Sequence, residues 1–348
     1  MYNIPVRYSD LTISRCISDL GFGGISVASC TFKTMDTPPD TLCADVIIEG
    51  VGGLPTFYVN KKTYSDGVWT VEALDRCAFL DRRIVPDDWD KTTAGYSKDA
   101  FRLGLAVQCG FGDSIYAVDL PSGIPSRIPC DLIDGQTYQS VLSSMALAYC
   151  GFFFVSDTSH LSFASHNAST SQITLDAYSR IHNNGSFSYG SVKVTNGSKS
   201  TAYGGGIPAG TAIPQLEINN NFANADGDQA AADIYSNIPN ETYIGWSIDK
   251  AACITLTVPS ILGYIRVESG GILTTYRATR IEARFVGSVM MLSMGQDIPQ
   301  MGEIERRGLL QQKLDEAVST QKTYKWMRTT YQGMIAVPTQ DAEKGASS

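Results

Sequence analysis

Between Asp10 and Ala73 apolar and polar positions alternate with the period of two that half-buried strands require. Leu11-Thr12-Ile13-Ser14, the run Gly24 to Phe32, and Ala44 to Glu49 each read as a strand, punctuated by Gly21 to Gly24 and by Asp36-Thr37-Pro38-Pro39-Asp40. Thr56 to Asn60 and Val68 to Ala73 flank Asp66-Gly67, a pair that tolerates positive φ, so a hairpin is predicted. Asp75 is placed to cap a short helix, Arg76 to Ile84, with Leu74, Cys77, Ala78 and Leu80 on its apolar side. Five or more antiparallel strands suffice for a small barrel or sandwich.

From Lys98 the period lengthens. Ser97 precedes a helix in which Phe101, Leu105 and Cys109 recur every fourth position, and Asp134 or Gln136 starts another that carries Tyr138, Val141, Leu142, Met145 and Ala148 up to Gly151. Phe152 to Val155 and Leu161 to Ala164 then read as a hairpin. The pattern places a small α/β domain at 76–165, inserted into a first β-domain formed by 1–75 with 166–200, to which Ile173 to Leu175 and Ser186 to Thr195 return the chain. Thr242 to Ile248, Ile254 to Val258, Gly263 to Val267, Thr275 to Phe285 and Ser288 to Leu292 predict a second antiparallel barrel within 201–300. Residues 301–348 hold a helix, Glu303 to Arg328, and a tail; acidic residues at its start and basic ones at its end suit the macrodipole. Leu310, Leu314, Ala317, Gln321 and Tyr324 form a seam on that helix, of which Leu310, Leu314, Ala317 and Tyr324 are the candidate interface; the seam fits either a short coiled coil or packing against the chain's own barrel.

Two blocks resemble a known family. Pro55 to Val59 followed by Val68-Trp69-Thr70-Val71-Glu72-Ala73-Leu74-Asp75-Arg76-Cys77 is one. The other is Thr137 to Leu142 through Ala148-Tyr149-Cys150-Gly151-Phe152-Phe153-Phe154, then Asp157 and Leu161-Ser162-Phe163. In this order and spacing they resemble the baseplate hub proteins of long-tailed bacteriophages and related contractile particles. The resemblance implies a mainly β fold with an α+β insertion, two tube-like antiparallel β-barrels and a C-terminal helix. It also implies a homotrimer whose ring adapts a sixfold tail tube to a threefold spike or tip, in contact with the tube protein, the spike or tip protein and other baseplate components. Its place would be the virion tail baseplate, assembled in the bacterial host cytoplasm.

Composition bears on partners. Of 348 residues 43% are hydrophobic but only 18% are charged, against roughly 25% in ordinary soluble proteins, which favours surfaces covered by other chains. A large β-protein rich in Ser, Thr and Asn would look similar. The net charge of −8 and the lack of any Lys/Arg cluster argue against specific nucleic-acid binding, although an acidic lumen would let DNA slide through. No apolar run reaches the roughly 20 residues that span a bilayer, so no membrane partner is expected. The first residues are followed by no apolar leader-like run, so secretion is not expected and the eight cysteines read as buried free thiols.

His160, His166 and His182 lack zinc-site spacing and read as surface polar residues. A Cys-His hydrolase would need one of them near a thiol such as Cys150. Asn224 to Asp228 with Asp233 only faintly resembles a calcium loop, since Phe222 would occupy its first ligand position. Gly204-Gly205-Gly206 opens no helix and reads as a crossing between domains. Asp75, Asp81, Asp87 and Asp88 could form an acid pair, but Arg76, Arg82 and Arg83 lie beside them. The sequence thus predicts no catalytic residue, no metal and no cofactor, and a structural protein; a tail-associated cell-wall hydrolase and a host-surface binding module are the alternatives.

Overall fold

The computed structural model describes residues 2–5, 10–17, 21–42, 45–86, 89–156, 160–166, 170–174, 177–178, 181–196, 199–203, 215–222, 235–236, 238, 242–253, 256–259, 263–269, 272–286, 289–297, 324–329 and 333–338. The chain forms two compact units, 1–299 and 300–348. In chain order the first begins with strands β1 Tyr2–Pro5, β2 Thr12–Cys16, β3 Gly24–Ser26, β4 Ala28–Thr34, β5 Asp45–Glu49, β6 Phe57–Ser65 and β7 Val68–Leu74. An inserted segment follows with β8 Lys91–Thr92, β9 Gly95–Ser97, helix α1 Lys98–Gln108, β10 Arg127–Ile128, helix α2 Tyr138–Ala148, β11 Gly151–Val155 and β12 Leu161–Ser165. Then come β13 Thr170–Thr174, β14 Ala177–Tyr178, β15 Ile181–Phe187, β16 Ser191–Asn196, β17 Lys199–Tyr203, β18 Gln215–Asn219, β19 Tyr243–Cys253, β20 Gly263–Ser269, β21 Ile272–Arg277, β22 Arg280–Val286 and β23 Val289–Gln296. The fold is mainly β with an α+β insertion.

The largest sheet runs β1-β5-β6-β7-β4-β2-β22-β23-β19-β14, with β15 also paired to β19. Its β6–β7 hairpin turns at Asp66 (φ 53°) and Gly67 (φ 81°), the left-handed pair that a two-residue connection needs. Alternation then sets the register: Val59 opposite Ala73, Phe32 opposite Val71 and Ile13 opposite Cys30 all point to one face. These residues share a single buried core with Val46, Trp246, Ile248, Ile281, Phe285, Met290 and Leu292. The sheet also curls. Seven strand steps at about 4.8 Å would part β5 from β19 by roughly 34 Å on a flat sheet, yet the Gly52 amide donates to the Leu256 carbonyl at 2.8 Å and the Val258 amide to the Gly52 carbonyl at 3.1 Å. The segments leaving β5 and β19 therefore meet and close the curl. Gly53, at φ 73°, allows the approach, because a Cβ there would lie 2.8 Å from the Val258 carbonyl oxygen.

The strands expected to build two barrels share this one sheet: β2 pairs with β22 from Thr12↔Arg284 to Cys16↔Arg280. The expected single strand Gly24 to Phe32 is broken at Val27, its first part pairing in parallel with β11 and its second with β2 and β7. The insertion is thus stitched to the N-terminal region by β3, which adjoins both β11 and α2; Tyr138 of α2 meets Phe101 of α1. The expected helix Arg76 to Ile84 is only a 3₁₀ turn, Arg76–Phe79. The cause is competition for backbone groups: Gln139 N–H takes the Leu80 carbonyl (2.7 Å), Tyr138 N–H takes that of Arg82 (3.2 Å), and Ile84 N–H turns to Gln136 (2.9 Å). The expected strand Thr275 to Phe285 likewise splits at Ala278-Thr279, where Thr279 N–H bonds to the Gly295 carbonyl (2.9 Å).

Three further small sheets, β10-β9-β8, β13-β20-β21 and β17-β16-β18, complete what is described of the first unit. In the second unit Tyr324–Thr329 and Gly333–Pro338 pair as an antiparallel hairpin, β24 and β25. The helix expected to reach Arg328 therefore does not extend over Tyr324 to Arg328; the alternation Tyr-Lys-Trp-Met-Arg-Thr fits a strand equally well. Its remainder, 303–323, lies outside the described residues, as do Gly204 to Gly206 and the Asn224 to Asp233 loop.

Candidate assembly surfaces

The described histidines are divided between surface and interior. His160 Nε2 meets Asp119 Oδ2 at 2.8 Å and His182 faces Asp249 at 3.8 Å, both near the surface. His166, expected at the surface, is 2% exposed, its ring between Phe22 (5.4 Å) and Tyr243 (6.2 Å). It packs there as an aromatic plate, a role composition alone does not reveal. Its amide donates to the Cys150 carbonyl at 2.7 Å, so the pair named as a hydrolase possibility does meet, but both residues are buried. Among the described residues no group of three or more His, Cys, Asp or Glu is arranged to hold a metal. Cys16, Cys30, Cys77, Cys109, Cys130 and Cys150 are free thiols, and burial pushes the Cys109 thiol up to about 12. A thiol so reluctant to ionise is a packing group rather than a nucleophile.

Among the described residues the most enclosed carboxylate is Asp75, 1% exposed. Its Oδ2 accepts from the Ala28 amide at 2.8 Å and its Oδ1 from the Cys77 amide at 2.9 Å. The sequence-predicted capping role is therefore present, but the side chain also reaches the first residue of β4. Burial raises its pKa to about 6, against the opposing pull of the two amides and of Arg15. Arg15 in turn donates to the Gly53 carbonyl at 2.7 Å, at the closure of the curl.

Several exposed apolar side chains lie at one end of the curled sheet. The register places the C-terminal end of β4, the turn of the β6–β7 hairpin, the C-terminal end of β22 and the N-terminal end of β23 at that same end. Met35 is 83% exposed there, Tyr64 59%, Val286 66% and Val289 41%. Val286 and Val289 face each other across the β22–β23 pair on the side opposite to the buried Phe285 and Met290. Nearby charges are paired within the chain: Lys33 with Asp10 (3.9 Å) and Lys62 with Asp40 (3.0 Å). Sequence reading passed over this end, although valines at outward positions beside a turn are the available signal. Leu310, Leu314 and Ala317 of the expected interface lie outside the described residues, and Tyr324 opens β24 opposite Pro338.

No protein-family model and no curated protein matches the sequence. Solved structures do match. The 43 kDa tail protein of prophage MuSo2 from Shewanella oneidensis aligns at TM-score 0.53 and 13% identity, over 83% of this chain and 93% of that one. A tail protein from Neisseria meningitidis gives 0.50 and 15%, over 84% and 95%. Prophage tail protein gp18 from Listeria monocytogenes gives 0.50 and 12%, over 88% and 100%. This chain shares the fold of those tail proteins. At such identities the likeness is one of chain path, carried by strand pairing and core positions rather than by retained side chains.

Proposed function

We propose that this chain is a non-enzymatic structural component of a phage tail or tail-like particle. The observation that carries the reading is the shared fold with three tail proteins, which extends over 83 to 88% of the chain. The finer reading is a baseplate hub: a homotrimeric ring, built from tube-like β-domains, that adapts the sixfold tail tube to a threefold spike or tip. A ring of three copies, each offering two β-regions of its curled sheet, is the geometric requirement for such an adaptor. The domain division proposed is 1–75 with 166–200, 76–165, 201–300 and 301–348, the two β-regions being continuous through the β2–β22, β15–β19 and β13–β20 pairs. Partners are other copies of the chain, the tube protein, the spike or tip protein and neighbouring baseplate components, with DNA passing through the lumen during ejection. The low charged fraction of 18% and the apolar end of the curled sheet are what such contacts would cover. Native mass spectrometry of the purified chain tests the trimer: three copies are expected, and a monomer at all concentrations counts against it. A turbidity-clearing assay on bacterial cell walls tests the non-enzymatic reading, with no clearing expected.

A further inference from the structure

Helix α1 is seated in the insertion through its buried residues Phe101, Gly104, Leu105 and Ala106. Its opposite side carries one i, i+4 row, Asp99, Leu103 and Val107. A helix at a protein surface ordinarily turns polar residues outward, yet Leu103 is 40% exposed and Val107 55%. Two more exposed apolar side chains flank the row. Tyr116 stands on the 3₁₀ turn Ile115–Ala117, which adjoins α1, and Val85 lies by its last turn, where the Val85 carbonyl accepts from Gln108 Nε2 at 3.0 Å. The two ends of this strip differ in charge. At the first turn Arg102 is engaged with the Val118 carbonyl (2.8 and 2.9 Å), which leaves the Asp99 carboxylate, 3.6 Å from it, as the more exposed of the two. Beyond the last turn Arg82 lies over the Phe79 ring (5.0 Å) and donates to the Gln108 carbonyl.

We propose that this strip is a twofold contact with the same strip of a second copy of the chain. A surface that is apolar in its middle, acidic at one end and basic at the other is complementary to itself turned end for end. With the two α1 helices antiparallel and the axis between positions 103 and 107, Leu103 of each copy faces Val107 of the other. Asp99 and Gln108 are about 14 Å apart along the helix, so Asp99 of each copy then reaches the helix end where Arg82 of the other sits. The helix dipoles also oppose each other favourably. Every contact is made twice, as an isologous interface requires. Such a contact cannot close a ring of three; it joins two free chains or, if the ring proposed above forms, two rings, giving two or six copies.

Native mass spectrometry of the full chain reads the copy number, and mixed variants read the register. Two or six copies are expected. Three copies alone would overturn this contact and leave the ring standing, two alone would support the contact and count against the ring, and a monomer at all concentrations would overturn both. Leu103→Lys and Val107→Glu, both at exposed positions, should each weaken the pairing at least ~10-fold by placing a lone charge in the contact. Mixing the two variant chains should recover most of that loss in mixed pairs, because the introduced ammonium then faces the introduced carboxylate. Variants that pair as tightly as the unmodified chain, or a mixture no tighter than either variant alone, would overturn the proposal.

Discussion

Gly53→Ala perturbs the sheet at its point of closure. Gly53 stands at φ 73°, and a Cβ added there would lie 2.8 Å from the Val258 carbonyl oxygen. That atom is backbone, fixed by the bonds between Gly52 and the 256–258 segment, so no rotamer change relieves the contact. The left-handed conformation costs an alanine about 1–2 kcal/mol, and forcing apart a packed contact adds about 1–3 kcal/mol, for a loss of about 3 kcal/mol. Gly67→Ala is the control, because Gly67 has φ 81° but nothing within 4 Å of an added Cβ; it should lose about 1–2 kcal/mol from conformation alone. With a urea slope of about 3 kcal/mol/M, the midpoint should drop by roughly 1 M for Gly53→Ala and by roughly half that for Gly67→Ala. Equal shifts, or a milder effect at Gly53, would refute the argument that the sheet closes by close approach at this point.

Thr137 Oγ accepts from the Ser140 amide at 3.2 Å, whereas Ser97 makes no such side-chain bond at the start of α1; thermal unfolding should show Thr137→Ala costing about 1 kcal/mol and Ser97→Ala clearly less. The contribution of Asp75 to stability, up to about 3 kcal/mol from a shift of the kind seen here, should be complete near pH 4 and decline as pH rises through about 6, a trend that urea titrations at several pH values would lose in Asp75→Asn. Val286→Ser with Val289→Ser, at exposed positions, should leave the urea midpoint nearly unchanged but weaken self-association at least tenfold, or about 1.4 kcal/mol, as measured by sedimentation; unchanged association would remove this end of the sheet from the proposed contacts.

Local signals were legible where local chemistry decides the structure. Asp66-Gly67 announced its hairpin, and the alternation around Val59, Val71 and Ala73 announced the buried face. The two helices of the insertion were also evident, with Thr137 rather than Asp134 or Gln136 as the cap of the second. Non-local pairing was not legible. Between Gly24 and Phe32 the apolar positions shift phase at Val27-Ala28, from Ile25 and Val27 to Ala28, Cys30 and Phe32, which marks the transfer, but the partners that take the two halves, β11 on one side and β7 on the other, lie far away in sequence. For the same reason the union of β2 with β22 is not visible locally, and the helix expected after Asp75 stops short because its carbonyls are claimed by residues 138–139. His166 shows the limit of reading polarity from residue type: its ring fills an aromatic slot beside Phe22. The exposed Met35, Tyr64, Val286 and Val289 share one end only because the register brings the end of β4, the β6–β7 hairpin and the adjoining ends of β22 and β23 together.

Cryo-electron microscopy of intact particles carrying a tagged copy of this chain addresses the proposed role most directly. The account predicts tag density in a ring of three copies where the tail tube meets the spike or tip. Tag density elsewhere in the particle, a ring of another order, or particles without the tag would contradict it.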